Sequence, residues 1–186
     1  MPHINFHNDL PGIRSAMAYS PKTAQPLNEL AEVLLRSNEG LSRIERELIG
    51  TYVSYLNDCF YCHHSHGAIA CIYLNGDRDL VEHVRQDYKS AAISEKLKAL
   101  LNLAGKVQQG GKKVTTKDID KAKEAGATDQ DVHDTVLIAA AFCMFNRYVD
   151  GLATIAPTDM SSYPLRARQV VETGYGSHIY SPKQPA

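Results

Sequence analysis

The sequence predicts an all-α protein, and three observations carry that reading. Apolar residues recur at three- and four-residue spacing in one segment after another. Serine, threonine or aspartate stands where helices would begin, twice with an acidic residue three positions on. No stretch shows the alternation of apolar and polar residues expected of a half-buried strand.

Residues 1 to about 24 contain Pro2, Pro11, Gly12 and Pro21 and read as an extended arm with one short helix near Arg14 to Tyr19. Leu27, Leu30, Ala31, Leu34 and Leu35 mark the first clear amphipathic helix, which Asn38-Glu39-Gly40 ends. Ser42-Arg43-Ile44-Glu45 has capping-box form, and Ile44, Leu48, Tyr52 and Tyr55 carry the next helix. Asn57-Asp58 reads as a tight turn, with Asp58 capping a helix that runs to about Leu74 and stops at Asn75-Gly76-Asp77. A short helix from Arg78 to about Gln86 follows. Ser94 caps a helix from Glu95 to about Gln108, whose Leu97, Leu100, Leu101 and Ala104 form a core stripe.

Gly110-Gly111-Lys112-Lys113 is a solvated basic turn, and Thr116 caps a short helix from Lys117 to Glu124. Thr128-Asp129-Gln130-Asp131 again has capping-box form and opens the most apolar helix, Asp129 to about Ile155. Asn146, Arg147 and Asp150 interrupt it as a helix-end polar cluster or oligomer contact; the functional alternative has Arg147 facing the active-site region or a neighbouring subunit. From Pro157 the text is tail-like, through Gly174-Tyr175-Gly176 to Ser181-Pro182-Lys183-Gln184-Pro185, with one short helix expected from Arg166 to Glu172. The chain thus divides into an arm (1–24), a helical domain (25–156) and a tail (157–186) that packs on the domain or on a neighbouring subunit.

Chemistry concentrates around the Asn57-Asp58 turn. Cys59, Cys62 and His66 stand at i, i+3 and i+7, one face of a helix, with both cysteines in its first turns. The positive helix end favours thiolate, the reactive form of cysteine. Two antiparallel helices meeting at the turn bring a residue about ten before it level with one about ten after it, so Glu47 comes level with His66. A Glu–His–Cys relay can then operate: carboxylate orients imidazole, imidazole takes the thiol proton, and thiolate attacks. Cys59, a turn away, can resolve an oxidised sulfur as a disulfide. His63 and His64 read as exposed or oligomer-facing polar residues.

Glu47, Cys59, Cys62 and His66 fit the E-x11-C-x2-C-x3-H pattern and resemble the site of AhpD-like alkyl hydroperoxidases, within the carboxymuconolactone decarboxylase superfamily. The flanks Leu10-Pro11-Gly12, Gly40 to Leu48, Val114 to Asp118 and Ala125 to Asp129 resemble the peroxidase-related branch, so the resemblance spans roughly residues 10 to 155. It implies an AhpD-like helical bundle with a catalytic hairpin, assembled as a homo-oligomer, commonly a trimer or hexamer. It implies Cys62 as peroxidatic cysteine, Cys59 as resolving cysteine, and Glu47 and His66 as proton relay. The substrate would be a small-molecule peroxide. No metal, haem or flavin would be needed, only an external dithiol or protein reductant, of which a lipoyl-type dithiol is one. The best-known members carry a histidine just before the second cysteine, where this chain has Tyr61. The decarboxylase members lack the cysteine pair, which argues against that activity.

Other readings use the same residues. The cysteines can be small packing residues, or zinc ligands with two of His63, His64 and His66, although a Cys2His2 site normally draws its second pair from a separate segment. Cys59-Phe60-Tyr61-Cys62-His63 also spells the c-type haem attachment string. A dithiol–disulfide exchanger or redox sensor that does not turn over peroxide is the alternative within redox chemistry.

The chain has 186 residues, enough for one domain with a sizeable core. Its net charge of −1 suggests no nucleic-acid or membrane surface. The first nine residues lack the basic start and apolar core of a signal peptide, so a cytoplasmic location is expected. A reducing compartment makes a structural disulfide improbable, and the Cys59–Cys62 pair reads as a cycling one. Cys71 and Cys143, inside apolar runs, are expected to be buried and inert.

Overall fold

The computed structural model describes residues 1–176, so the Ser181–Pro185 part of the expected tail lies outside the described residues. Among the described residues there are nine α-helices and no strand. In order they are α1 (Ile13–Tyr19), α2 (Pro21–Arg36), α3 (Arg43–Leu56), α4 (Phe60–Tyr73), α5 (Arg78–Asp87), α6 (Glu95–Gln109), α7 (Thr116–Glu124), α8 (Asp129–Gly151) and α9 (Ser162–Thr173). None is long and apolar enough to cross a membrane.

The capping signals place most starts correctly. Ser42 and Glu45 form the reciprocal box at α3, as do Thr128 and Asp131 at α8. At α7 the cap is Thr115, one residue before the expected Thr116, because Asp118 completes a box with Thr115. Helix α2 starts earlier than the leucine pattern indicates: Pro21 sits in its first turn, where its missing N–H costs nothing. Helix α9 is longer than the expected Arg166–Glu172. It packs along α4 through Tyr163, Ala167 and Val170, so this part of the tail rests on the domain itself.

Helices α3, α6 and α8 surround the main core, in which Leu48, Ile49, Val53, Leu100, Leu101, Ile138 and Phe142 are almost wholly withdrawn from solvent. Burying each such side chain contributes on the order of 1.5–3 kcal/mol. Gly50 makes the α3–α8 contact possible, since a Cβ there would run into the Phe142 ring.

One buried charge sets the register of α3. Arg46, 1% exposed, donates to the carbonyls of Leu34 (2.9 Å), Leu41 (2.9 Å) and Glu39 (2.5 Å), and to Asp134 Oδ2 on α8 (2.7 Å). Every arm of the guanidinium is satisfied, which is what permits a charge there. The clamp ties the end of α2, the following loop and α8 to the residue next to Glu47.

Candidate active site

Helix α3 ends in a Schellman motif. Asp58 adopts φ +56°, its N–H donates to Tyr55 O (2.9 Å), and the Cys59 N–H donates to Ser54 O (3.0 Å). Asp58 is therefore occupied in closing α3, and the N-cap of α4 is Cys59 rather than the expected Asp58. The turn is further fixed by Asn57, which donates to Asn146 Oδ1 (2.8 Å) and accepts from Gln108 (3.0 Å), while Asn146 donates to Ser54 Oγ (3.0 Å). Asn146, from the polar cluster on α8, is thus a buried brace of the hairpin.

The hairpin brings the expected acid and imidazole together. Glu47, 1% exposed, lies against His66 with Oε2 at 2.9 Å from Nδ1. An Nδ1–H donating to that carboxylate leaves Nε2 with its lone pair as the basic atom. Cys62 precedes His66 by one turn on α4, and both line a cleft of about 220 Å³. The walls of this cleft are mainly apolar, with Met17, Leu35, Ile69 and Phe142 among them. The Phe142 ring meets the His66 ring edge-on at 4.6 Å.

Sequence reasoning missed a third member of this group. Tyr175, beyond α9, donates its hydroxyl to Glu47 Oε1 (2.7 Å), and the same oxygen lies 3.3 Å from His66 Nδ1. Burial foremost, and then the neighbouring Glu47, push its phenol well above the ordinary tyrosine range, so it remains a donor. Its backbone N–H is fixed by Glu32 Oε2 (2.6 Å), and Arg36 donates to the carbonyls of Val170 (2.8 Å) and Val171 (3.0 Å) at the end of α9. No local pattern announces this: 128 positions separate Tyr175 from Glu47.

The two cysteines differ. Cys62 faces the cleft, whereas Cys59 is fully buried beneath it with Tyr61, Val149 and Tyr163. All four cysteines of the chain are free thiols. The Cys59 thiol is pushed far up, first by the hydrogen bond it shares with Cys62, then by burial. The expectation that the helix end favours thiolate at both cysteines therefore fails at Cys59, where those two effects outweigh it. Asp150, another residue of the polar cluster, shares a hydrogen bond with Cys59, and its own carboxyl is raised by burial. Arg147 does not line the Cys62 cleft; it is exposed, donates to Cys143 O within α8 (2.9 Å), and borders a depression shared with Asn57 and Asp150. Cys71 and Cys143 are half-buried rather than buried.

Tyr61 stands against the cleft wall, close to the backbone of Gly12. Gly12 has φ +56°, and a Cβ there would overlap the Tyr61 ring, so Leu10-Pro11-Gly12 makes room for that tyrosine.

His63 departs from expectation. It is buried, and Arg85 Nη1 donates to its Nδ1 at 2.6 Å. Because arginine has no acceptor, His63 must be the neutral Nε2–H tautomer. Burial first, then His64 and Arg85, hold its pKa down to about 3, and burial and Arg85 hold His64 to about 4. Among the described residues, no group of three or more His, Cys, Asp or Glu side chains is arranged to hold a metal.

The carboxymuconolactone decarboxylase family model matches residues 21–86, the stretch that contains all four pattern residues. No curated protein matches the chain. Two solved structures are similar to it over most of both chains. One is an uncharacterized peroxidase-related protein from Silicibacter sp. TM1040, 27% identical, covering 83% of this chain and 78% of that one, with a TM-score of 0.74. The other is an alkylhydroperoxidase AhpD core, an uncharacterized peroxidase-related protein from Ralstonia eutropha JMP134, 26% identical, covering 94% and 83%, with a TM-score of 0.74. A protein of unknown function from Agrobacterium tumefaciens, 17% identical, covers 86% of this chain and 100% of its own at a TM-score of 0.66, a likeness of fold alone. The family match thus spans the cysteine hairpin, and the helical fold is that of two solved peroxidase-related proteins, so the chain resembles AhpD-like members of the carboxymuconolactone decarboxylase superfamily.

Proposed function

We propose that this protein reduces organic hydroperoxides with the Cys59–Cys62 pair. The observation that carries the reading is the buried Glu47–His66 contact at 2.9 Å, one helical turn from a cysteine that faces a cleft. With Nδ1 anchored, Nε2 of His66 takes the Cys62 proton. The thiolate attacks the distal peroxide oxygen, the O–O bond breaks, and the alkoxide leaves as an alcohol with the proton held on His66. Cys62 becomes a sulfenic acid. The Cys59 thiol, protonated and hydrogen-bonded to Cys62, displaces water to give the disulfide. An external dithiol then returns the pair to two thiols, itself becoming a disulfide. Tyr175 is a positioning residue that holds Glu47 toward His66.

The reading includes assembly as a homo-oligomer, supported by apolar side chains left exposed on α8 at Leu137 and Met144. Steady-state consumption of an alkyl hydroperoxide with a dithiol reductant tests the activity. Turnover is expected in the wild type and its loss in Cys62→Ser. A Cys62→Ser variant of full activity would remove the assignment, and disulfide exchange without peroxide consumption would leave a dithiol oxidoreductase.

A further inference from the structure

The cleft contains a charge that the chemistry above does not use. Arg14, at the start of α1, lines it opposite apolar side chains. Its Nε is buried without an acceptor, and no ion pair reaches the guanidinium among the described residues. Arg46, by contrast, is compensated by three carbonyls and Asp134. A guanidinium always carries its charge, and one turned into an apolar cleft without a counter-charge is costly to keep. An incoming carboxylate would remove that cost. About 220 Å³ leaves room for a short chain only.

We infer that the cleft selects short aliphatic carboxylates, with the acid group on Arg14 and the chain against Met17, Leu35, Ile69 and Phe142. Resting on the peroxidase reading, this makes the substrate class hydroperoxides that carry a carboxylate. The carboxylate could also arrive on the reducing dithiol; we assign it to the peroxide because Arg14 shares the cleft with Cys62.

The test that does not need turnover is protection of Cys62 from iodoacetamide in the full chain, followed by mass spectrometry, with hexanoate or 1-hexanol as probe. Hexanoate is expected to half-protect at a concentration about tenfold lower than hexanol. Arg14→Met should abolish that preference, with both probes compared in the same variant so that loss of folding, which removes both, is told apart from loss of selectivity. Equal protection by the two probes in the wild type would overturn the inference whatever Arg14→Met does. Turnover of 6-hydroperoxyhexanoate and hexyl hydroperoxide separates the two claims. Faster use of the acid supports both. Equal rates overturn the substrate assignment and leave the peroxidase reading standing. Selective protection with neither peroxide consumed overturns the peroxidase reading and retains the carboxylate site. If hexanoate competes with the dithiol and not with the peroxide, the assignment to the peroxide fails.

Discussion

Two of the three imidazoles on helix α4, His63 and His66, stand three residues apart and are built for opposite ends. His66 faces Glu47 and is anchored through Nδ1 to a carboxylate, which leaves Nε2 basic. His63 faces Arg85, accepts through Nδ1 from a cation, and is held neutral with a pKa near 3. The cysteine pair lies beside both. Proximity to a thiol therefore does not make a histidine a proton acceptor; the partner on its far nitrogen does. The carboxylate holds His66 through Nδ1 and leaves Nε2 open to a proton, whereas the guanidinium opposes positive charge at His63.

This contrast can be broken by exchanging or deleting partners. The largest effect is expected at the sulfur: Cys62→Ser should lower peroxide consumption by about 10³-fold or more, measured at steady state with excess dithiol. Glu47→Gln should cost about 10²-fold, because the amide still fills the space but supplies no negative charge to the imidazolium. His63→Gln, on the other side of the helix, should stay within about threefold. A fall in His63→Gln as large as that in Glu47→Gln would contradict the asymmetry between the two imidazoles.

Tyr175→Phe should have an intermediate effect, about tenfold, since a hydrogen bond to a charged group is worth about 1.5–3 kcal/mol and part of it is compensated elsewhere. A positioning role predicts that the pH profile of Cys62 alkylation shifts in this variant; an unchanged profile would reduce Tyr175 to packing.

The smallest effect concerns stability. The folded-state pKa values of His63 and His64 lie below the ordinary value of 6.5, at about 3 and about 4. The unfolded chain thus binds protons first as pH falls. Their contribution is fully present above about pH 6.5 and is lost progressively toward pH 4. The melting temperature should decline across that window, and His63→Gln should flatten the decline. A wild-type melting temperature constant from pH 6.5 to 4 would contradict the neutral assignment.

Much of the hairpin was legible in the sequence because its determinants are local. The Ser42–Glu45 box starts α3, and a hairpin at Asn57-Asp58 puts Glu47 level with His66 by helix geometry alone. Even there the cap was off by one, because Asp58 serves the end of α3 and leaves Cys59 to open α4. What the sequence concealed depends on distant partners. Tyr175 reaches Glu47 only because α9 lies along α4 and Arg36 and Glu32 fix its end. The burial of His63 depends on Arg85, 22 residues on, and the Asp150 contact with Cys59 on the docking of α8. A polar residue in a helix shows its spacing, and its partner emerges only from packing.

In the proposed reaction Cys62 is the sulfur that meets the peroxide and Cys59 the one that closes on it. Free thiols counted before and after one equivalent of alkyl hydroperoxide test it most directly. The wild type is expected to lose two thiols to a Cys59–Cys62 disulfide, Cys59→Ser to lose one and retain a dimedone-reactive sulfenic acid at Cys62, and Cys62→Ser to lose none. Unchanged thiols in the wild type, or a sulfenic acid at Cys59 in place of Cys62, would contradict it.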